Sequence, residues 1–189
     1  MRKFRKINKG FILTVIVVGI LVIYLVQLEI QRNKEKPEIQ KMCESYIDYV
    51  NKYNNSTNSN TNYDDLEKTI KSELNDYIIN NEYAKTSEAQ NIVSYSELCS
   101  DNKVQIKSRN VNKVKKYVFD GNQVAVTLKT TLEIEKTNTD GSIDKTSNDF
   151  EDIITLMKEN GRWKICNSEL TYPNEISSSG DYIQEDFIY

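Results

Sequence analysis

At 189 residues, the chain has room for one ordinary domain and not for two. It contains no histidine, which removes the commonest general base, neutral metal ligand and triad partner together, and its cysteines, Cys43, Cys99 and Cys166, are too scattered for a zinc site or a disulfide framework. Five of the 25 basic residues (Arg2, Lys3, Arg5, Lys6, Lys9) precede every acid, leaving 20 against 28 acidic residues, and this net −8 argues against nucleic-acid binding by the domain.

Gly10 to Val26, GFILTVIVVGILVIYLV, is an uncharged run. As a helix it spans about 25 Å, the short end of what a bilayer core requires. Leu28 and Ile30 lengthen it if Glu29 and Arg32 snorkel to the interface, so the expected anchor is 10–30, with the lipid bilayer contacted through Gly10 to Ile30. The basic flank predicts residues 1–9 in the cytosol and the remainder extracytoplasmic, a single-pass protein of the cell membrane. Tyr24 to Leu28 offers no small-x-small cleavage site, which favours an uncleaved anchor over a signal peptide.

Residues 31–36 read as a polar juxtamembrane stalk, and Pro37 suits the first position of a helix, where its missing N–H costs nothing. Ile39, Met42, Cys43, Tyr46, Val50 and Tyr53 then follow at helical spacing. Asn54 to Asn62 has no apolar residue and reads as a solvated loop. Asp64 and Glu67 form a capping box for a second helix whose stripe is Leu66, Ile70, Leu74, Tyr77 and Ile78. A third helical stretch runs from about Thr86 to Cys99, with Ala89, Ile92 and Val93 inward.

From Lys103 the period becomes two. A first strand ends at Tyr117 and Phe119, and its alternation slips between Val114 and Tyr117, as at a bulge. Val124, Val126, Leu128, Leu132 and Ile134 make a half-buried second strand; after a loop from Asn138 to Asn148 comes a third, Phe150 to Lys158. Asn160-Gly161 then turns the chain into Trp163, Ile165 and a final strand. The expected fold class is α+β: a transmembrane helix, then two or three helices on a curved antiparallel sheet of about four strands. The domain spans 37–170, and an acidic tail covers 171–189.

Among possible sites, Lys136 to Ser147 imitates part of an EF-hand loop through Asn138, Asp140, Gly141 and Ile143. Lys136 and Ser147 stand where that loop needs carboxylates, so the segment reads as a turn, and neither metal nor other cofactor is expected. Asp149, Glu151 and Asp152 read as a solvated acidic rim, with the last two on opposite sheet faces. Lys113, Lys115 and Lys116 read as a solvated strand face. The side chains singled out as pocket or core lining are Tyr46, Tyr53, Tyr77, Tyr117 and Trp163.

The closing passage Ile154-Thr155-Leu156-Met157-Lys158-Glu159-Asn160-Gly161-Arg162-Trp163-Lys164-Ile165, set after helices and strands in this order, resembles the nuclear transport factor 2-like (SnoaL-like) cone fold. The layout resembles that family over roughly 37–170, and the specific likeness lies in the hairpin alone. An anchor directly followed by such a domain is similar to assembly factors of conjugation and type IV secretion channels and to small anchored proteins of Gram-positive bacteria, a source that the abundance of Asn, Lys, Ile and Tyr also suggests. The resemblance implies a cone that in enzymes holds an acid–base pair, often with histidine, which this chain lacks. The expectation is therefore a non-catalytic scaffold with protein partners in the cell envelope, the first alternative being a small-ligand-binding module using the cone pocket and the last an enzyme.

Overall fold

The computed structural model describes residues 9–54, 62–173 and 176. The basic N-terminus before Lys9, most of the polar loop after Asn54, and the tail from Ser177 lie outside the described residues. The chain divides into two compact units, Met1–Ile39 and Gln40–Tyr189.

In the first unit the described residues belong to one helix, α1 (Lys9–Asn54). Its apolar side chains from Ile12 to Val26 are 44–64 % exposed, with no protein surface covering them. By length and composition this helix is able to cross a membrane, its apolar window having a mean hydropathy of 2.5. Pro37 lies inside α1 and does not begin a helix of its own. The charged residues before it are good helix formers and tie together along one side, Gln31 donating to Glu35 at 3.2 Å and Lys36 to Asn33 at 2.6 Å.

The second unit sets helices on one face of a sheet. α2 (Tyr63–Glu73) continues as one 3-10 turn (Leu74–Asp76), and α3 is Glu82–Asp101. The cap of α2 is Asn62 rather than Asp64: its extended backbone lets the side chain accept from the amides of Asp64 and Asp65. α3 begins earlier than its apolar residues suggest, because Asn81 caps it by accepting from the Ala84 amide. Ala89, Ile92 and Val93 face inward as expected.

Strands β1 (Val104–Asp120), β2 (Gln123–Thr137), β3 (Ile143–Glu159) and β4 (Arg162–Glu169) form an antiparallel meander in the order β1-β2-β3-β4. The α+β architecture thus stands. β3 starts five residues after Asn138, so the predicted loop shrinks to a turn in which Asp140 accepts from the amide and hydroxyl of Ser142. The β3–β4 turn has positive φ at both Asn160 and Gly161, the geometry that favours Asn-Gly.

One sheet face is apolar and buried: Val104 and Ile106 on β1, Val124, Val126, Leu128, Leu132 and Ile134 on β2, Ile154 and Leu156 on β3, Trp163 and Ile165 on β4. Against it lie Tyr46, Ile47, Val50, Ile70, Leu74 and Ile92. The segment after α2 pairs with β4, Ile79 donating to the Ile165 carbonyl at 3.0 Å and Ile165 to the Tyr77 carbonyl at 2.8 Å, so this stretch of the sheet edge is covered. Thr171, Tyr172 and Pro173 continue the folded chain past β4, and Ile176 is buried among Cys99, Val104, Ile106, Leu132 and Ile134.

Candidate functional site

Bulges decide which polar side chains enter this interior. β1 carries three register shifts, between Ile106 and Ser108, Val111 and Lys113, and Val114 and Lys116. The last is the slip read above between Val114 and Tyr117. The first shift places Arg109, and not Ser108, in the inward row that holds Ile106. In β4 a shift at Cys166 does the same for Ser168, which pairs with the inward Ile154. Without these two extra residues Arg109 and Ser168 would sit on the opposite face.

Arg109 meets Asp152 with neither side chain more than 1 % exposed. Nη1 donates to both carboxylate oxygens at 2.8 Å, while Nη2 donates to the Thr171 carbonyl at 2.7 Å. Asp152 also accepts from the Thr130 hydroxyl at 2.7 Å and the Thr171 amide at 2.8 Å. The guanidinium lies 4.6 Å from the centroid of the Tyr172 ring, and Tyr172 stacks on Tyr95 at 3.7 Å. Asp152 is therefore no part of a solvated rim. It does oppose Glu151 across the sheet, as alternation requires, but it faces the core, where Arg109 compensates its charge. Glu151 and Asp149 remain on the exposed face, paired with Lys115 and Lys129.

A second carboxyl lies beside this network without such a partner. Glu88, on α3, is 9 % exposed. Its Oε1 accepts from the Tyr46 hydroxyl of α1 and from the Ser168 hydroxyl of β4 at 2.8 Å. Tyr46 and Ser168 are also within 3.1 Å of each other. Burial pushes the Glu88 carboxyl above its ordinary range, and the two hydroxyls pull partly against that shift. Burial first, then the negative charge of Glu88, raises the Tyr46 phenol. Glu88 borders a cavity of about 140 Å³ whose other walls are Val50, Ile92 and Leu170, the Tyr95 and Tyr172 rings, and the polar residues Asn91, Ser168 and Glu169. A groove of about 270 Å³ continues outward from Glu88 and Asn91 past Ser87, Ile79 and Tyr83.

The five side chains singled out from the sequence do not converge on this cavity. Tyr46 supports it from behind through Glu88. Tyr53 and Tyr77 belong to a neighbouring aromatic cluster around Tyr49, at centroid distances of 5.2 and 4.9 Å from it, and Tyr53 donates to Glu73 at 2.6 Å. Tyr117 lies near the far end of β1 beside Phe119. Trp163 is 2 % exposed and packs in the core, with Lys158 over its ring. The residues that sequence reading missed are Glu88, Arg109 and Ser168. Glu88 had a signal, since it shares the i, i+4 stripe of Ile92 and Ser96.

Chemically, the cavity offers a carboxyl held by two hydroxyls, a second carboxyl at its rim, and aromatic walls. Two of the three thiols are poor nucleophiles, since burial pushes Cys43 up to about 12 and Cys99 to about 11. Among the described residues no three His, Cys, Asp or Glu side chains are grouped to hold a metal ion.

No family model and no curated protein matches the sequence. Among solved structures the chain is similar to a variant of Rv3472, a protein of unknown function from Mycobacterium tuberculosis, at 13 % identity over 73 % of this chain and 71 % of that one, with a TM-score of 0.42. It is also similar to a designed protein, Rd1NTF2_05 with five substitutions, at 11 % identity over 56 % of this chain and 86 % of the other, with a TM-score of 0.31.

Proposed function

We propose that this chain is a membrane-anchored interaction domain, held outside the membrane by its N-terminal helix, that works by contact and not by catalysis. The observation that carries this reading is the filled interior. Where helices meet the sheet, Tyr46, Ile47, Val50, Ile92, Leu128, Ile154 and Leu156 are at most 2 % exposed. The cavity beside them, about 140 Å³, and the groove next to it, about 270 Å³, are each below the roughly 300–1,000 Å³ of ordinary small-molecule sites. The exposed apolar helix supports attachment to a bilayer. The setting, an envelope assembly of the secretion or conjugation kind, rests on the resemblance of the layout alone, an anchor followed directly by a domain with this closing hairpin.

The test is extraction of the full chain from its own membranes in mild detergent, followed by mass measurement. The expected result is a discrete complex with other proteins, well above the 22.0 kDa of one chain plus its micelle. A chain that leaves the membrane only by itself, or only with copies of itself, overturns the reading.

A further inference from the structure

The two inward carboxyls, Asp152 and Glu88, are treated unequally by the protein. Asp152 receives a guanidinium, a hydroxyl and an amide. Glu88 receives two hydroxyls, both on Oε1, and no cation among the described residues. The nearest basic residue on its own helix face, Lys85, is engaged with Asn80 and Glu82. The walls of the cavity that Glu88 borders include a second carboxyl, Glu169, and no basic side chain at all. A carboxyl nine-tenths buried and lacking a counter-ion is costly in its charged form, and a cation arriving from outside supplies what the fold omits.

We infer that this cavity is a recognition site for an alkylammonium group, with Glu88 as its charge partner, Glu169 as a second carboxyl at the rim, and Val50, Ile92 and Tyr95 surrounding the alkyl stem. The size agrees: about 140 Å³ is close to the ~150 Å³ of a cavity that admits benzene, and a four-carbon amine is of that order. The polarity agrees as well, since walls that mix apolar side chains with carboxyls and hydroxyls suit a methylene stem whose head is charged. The same chemistry is carried by a free small amine and by a lysine side chain of a protein. The adjoining groove past Tyr83, itself 83 % exposed, offers space for the chain that would carry such a lysine.

This site deepens the interaction reading, and the two fail separately: one is tested on extracted complexes, the other on the purified full chain with defined ligands. The full chain in detergent micelles is titrated with n-butylammonium chloride and, separately, with n-butanol, while amide NMR signals are followed. The expected result is saturable shifts at Glu88, Tyr95 and Ser168 with a Kd on the order of 1 mM for the amine, and no saturation with the alcohol. Glu88→Gln keeps the shape and the acceptor for Tyr46 and Ser168, and it should weaken the amine about tenfold or more. Glu169→Gln, at the exposed rim, should weaken it less and serves as the variant whose folding is in no doubt. A capped lysine peptide that competes for the same signals assigns the site to a protein side chain, while binding of butylammonium alone assigns it to a free amine. Absence of saturable shifts, equal binding of the alcohol, or unchanged affinity in a folded Glu88→Gln chain overturns the inference.

Discussion

Arg109 on β1 and Asp152 on β3 are two strands apart, yet one guanidinium nitrogen reaches both carboxylate oxygens at 2.8 Å across the intervening Thr130. A pair this deeply buried gives little net stability over apolar residues, but it is expensive to break on one side. Arg109→Met should therefore destabilise the full chain by about 3–5 kcal/mol in denaturant unfolding, because it leaves Asp152 buried without its counter-ion. Arg109→Met combined with Asp152→Leu should recover part of that loss and not all, since the Thr171 carbonyl and amide lose their partners too. A double variant as unstable as the single one would show that the network does more than neutralise itself.

Trp163 closes the core directly after the Asn160-Gly161 turn, and none of the described protein atoms accepts from its indole N–H. Trp163→Ala should cost about 3–5 kcal/mol, as large aromatic deletions in cores do. Trp163→Phe should cost clearly less, because it keeps much of the ring and removes an unpartnered donor. Equal losses for the two substitutions would mean that the indole N–H has a partner that matters.

How much of this was legible in the sequence depends on where each side chain faces. Helices with one apolar face and strands with one buried face announced themselves: Ile92 and Val93 on α3, and the row from Val124 to Ile134 on β2, were read correctly. The first half of β3 was not, because Ile143 to Ser147 is exposed on both faces and no period of two survives. Its pairing is held by backbone bonds and by cross-strand contacts such as Lys145 with Glu135 at 2.7 Å, which leave no hydrophobic pattern. Arg109 and Ser168 were hidden by bulges. The clue for Arg109 was available, since the inward apolar residues of β1 change from even positions (Val104, Ile106) to an odd one (Val111), which requires an extra residue between them.

Glu88 should leave a signature in the pH dependence of stability. Its folded pKa lies above the ordinary 4.5, so the folded state holds the proton more tightly than the unfolded chain. Stability from this group is thus fully present below the unfolded pKa and is lost as pH rises through the folded one. Relative to wild type, Glu88→Gln should become progressively more stable as pH rises from about 4.5 toward neutrality. The groups around Glu88, namely Tyr46 of α1, Tyr95 of α3, Glu169 of β4 and Tyr172, are common to both chains, as are Glu82, Glu135, Asp140 and Asp149, whose lowered pKa values give the opposite slope. A difference between the two chains that is flat with pH would show that Glu88 titrates as a solvated carboxyl.

The orientation of the proposed anchor is the most direct matter to check, and the native thiols are arranged so that the check needs little engineering. Cys43 and Cys99 are buried, and burial pushes their thiols up to about 12 and about 11, so at pH 8 both stay protonated and react poorly. Cys166 is only half-buried and donates to the Thr155 carbonyl at 3.4 Å, a contact that serine can keep, so Cys166→Ser provides a quiet background. Tyr83 is 83 % exposed, and a cysteine placed there should react with a membrane-impermeant maleimide in intact cells. A cysteine replacing Asn8, next to Arg5, Lys6 and Lys9, should react only after the cells are permeabilised, as the positive-inside rule predicts for a basic flank. The reverse pattern would refute the orientation, and a mature chain lacking the segment from Gly10 to Val26 would show a removed signal in place of an anchor.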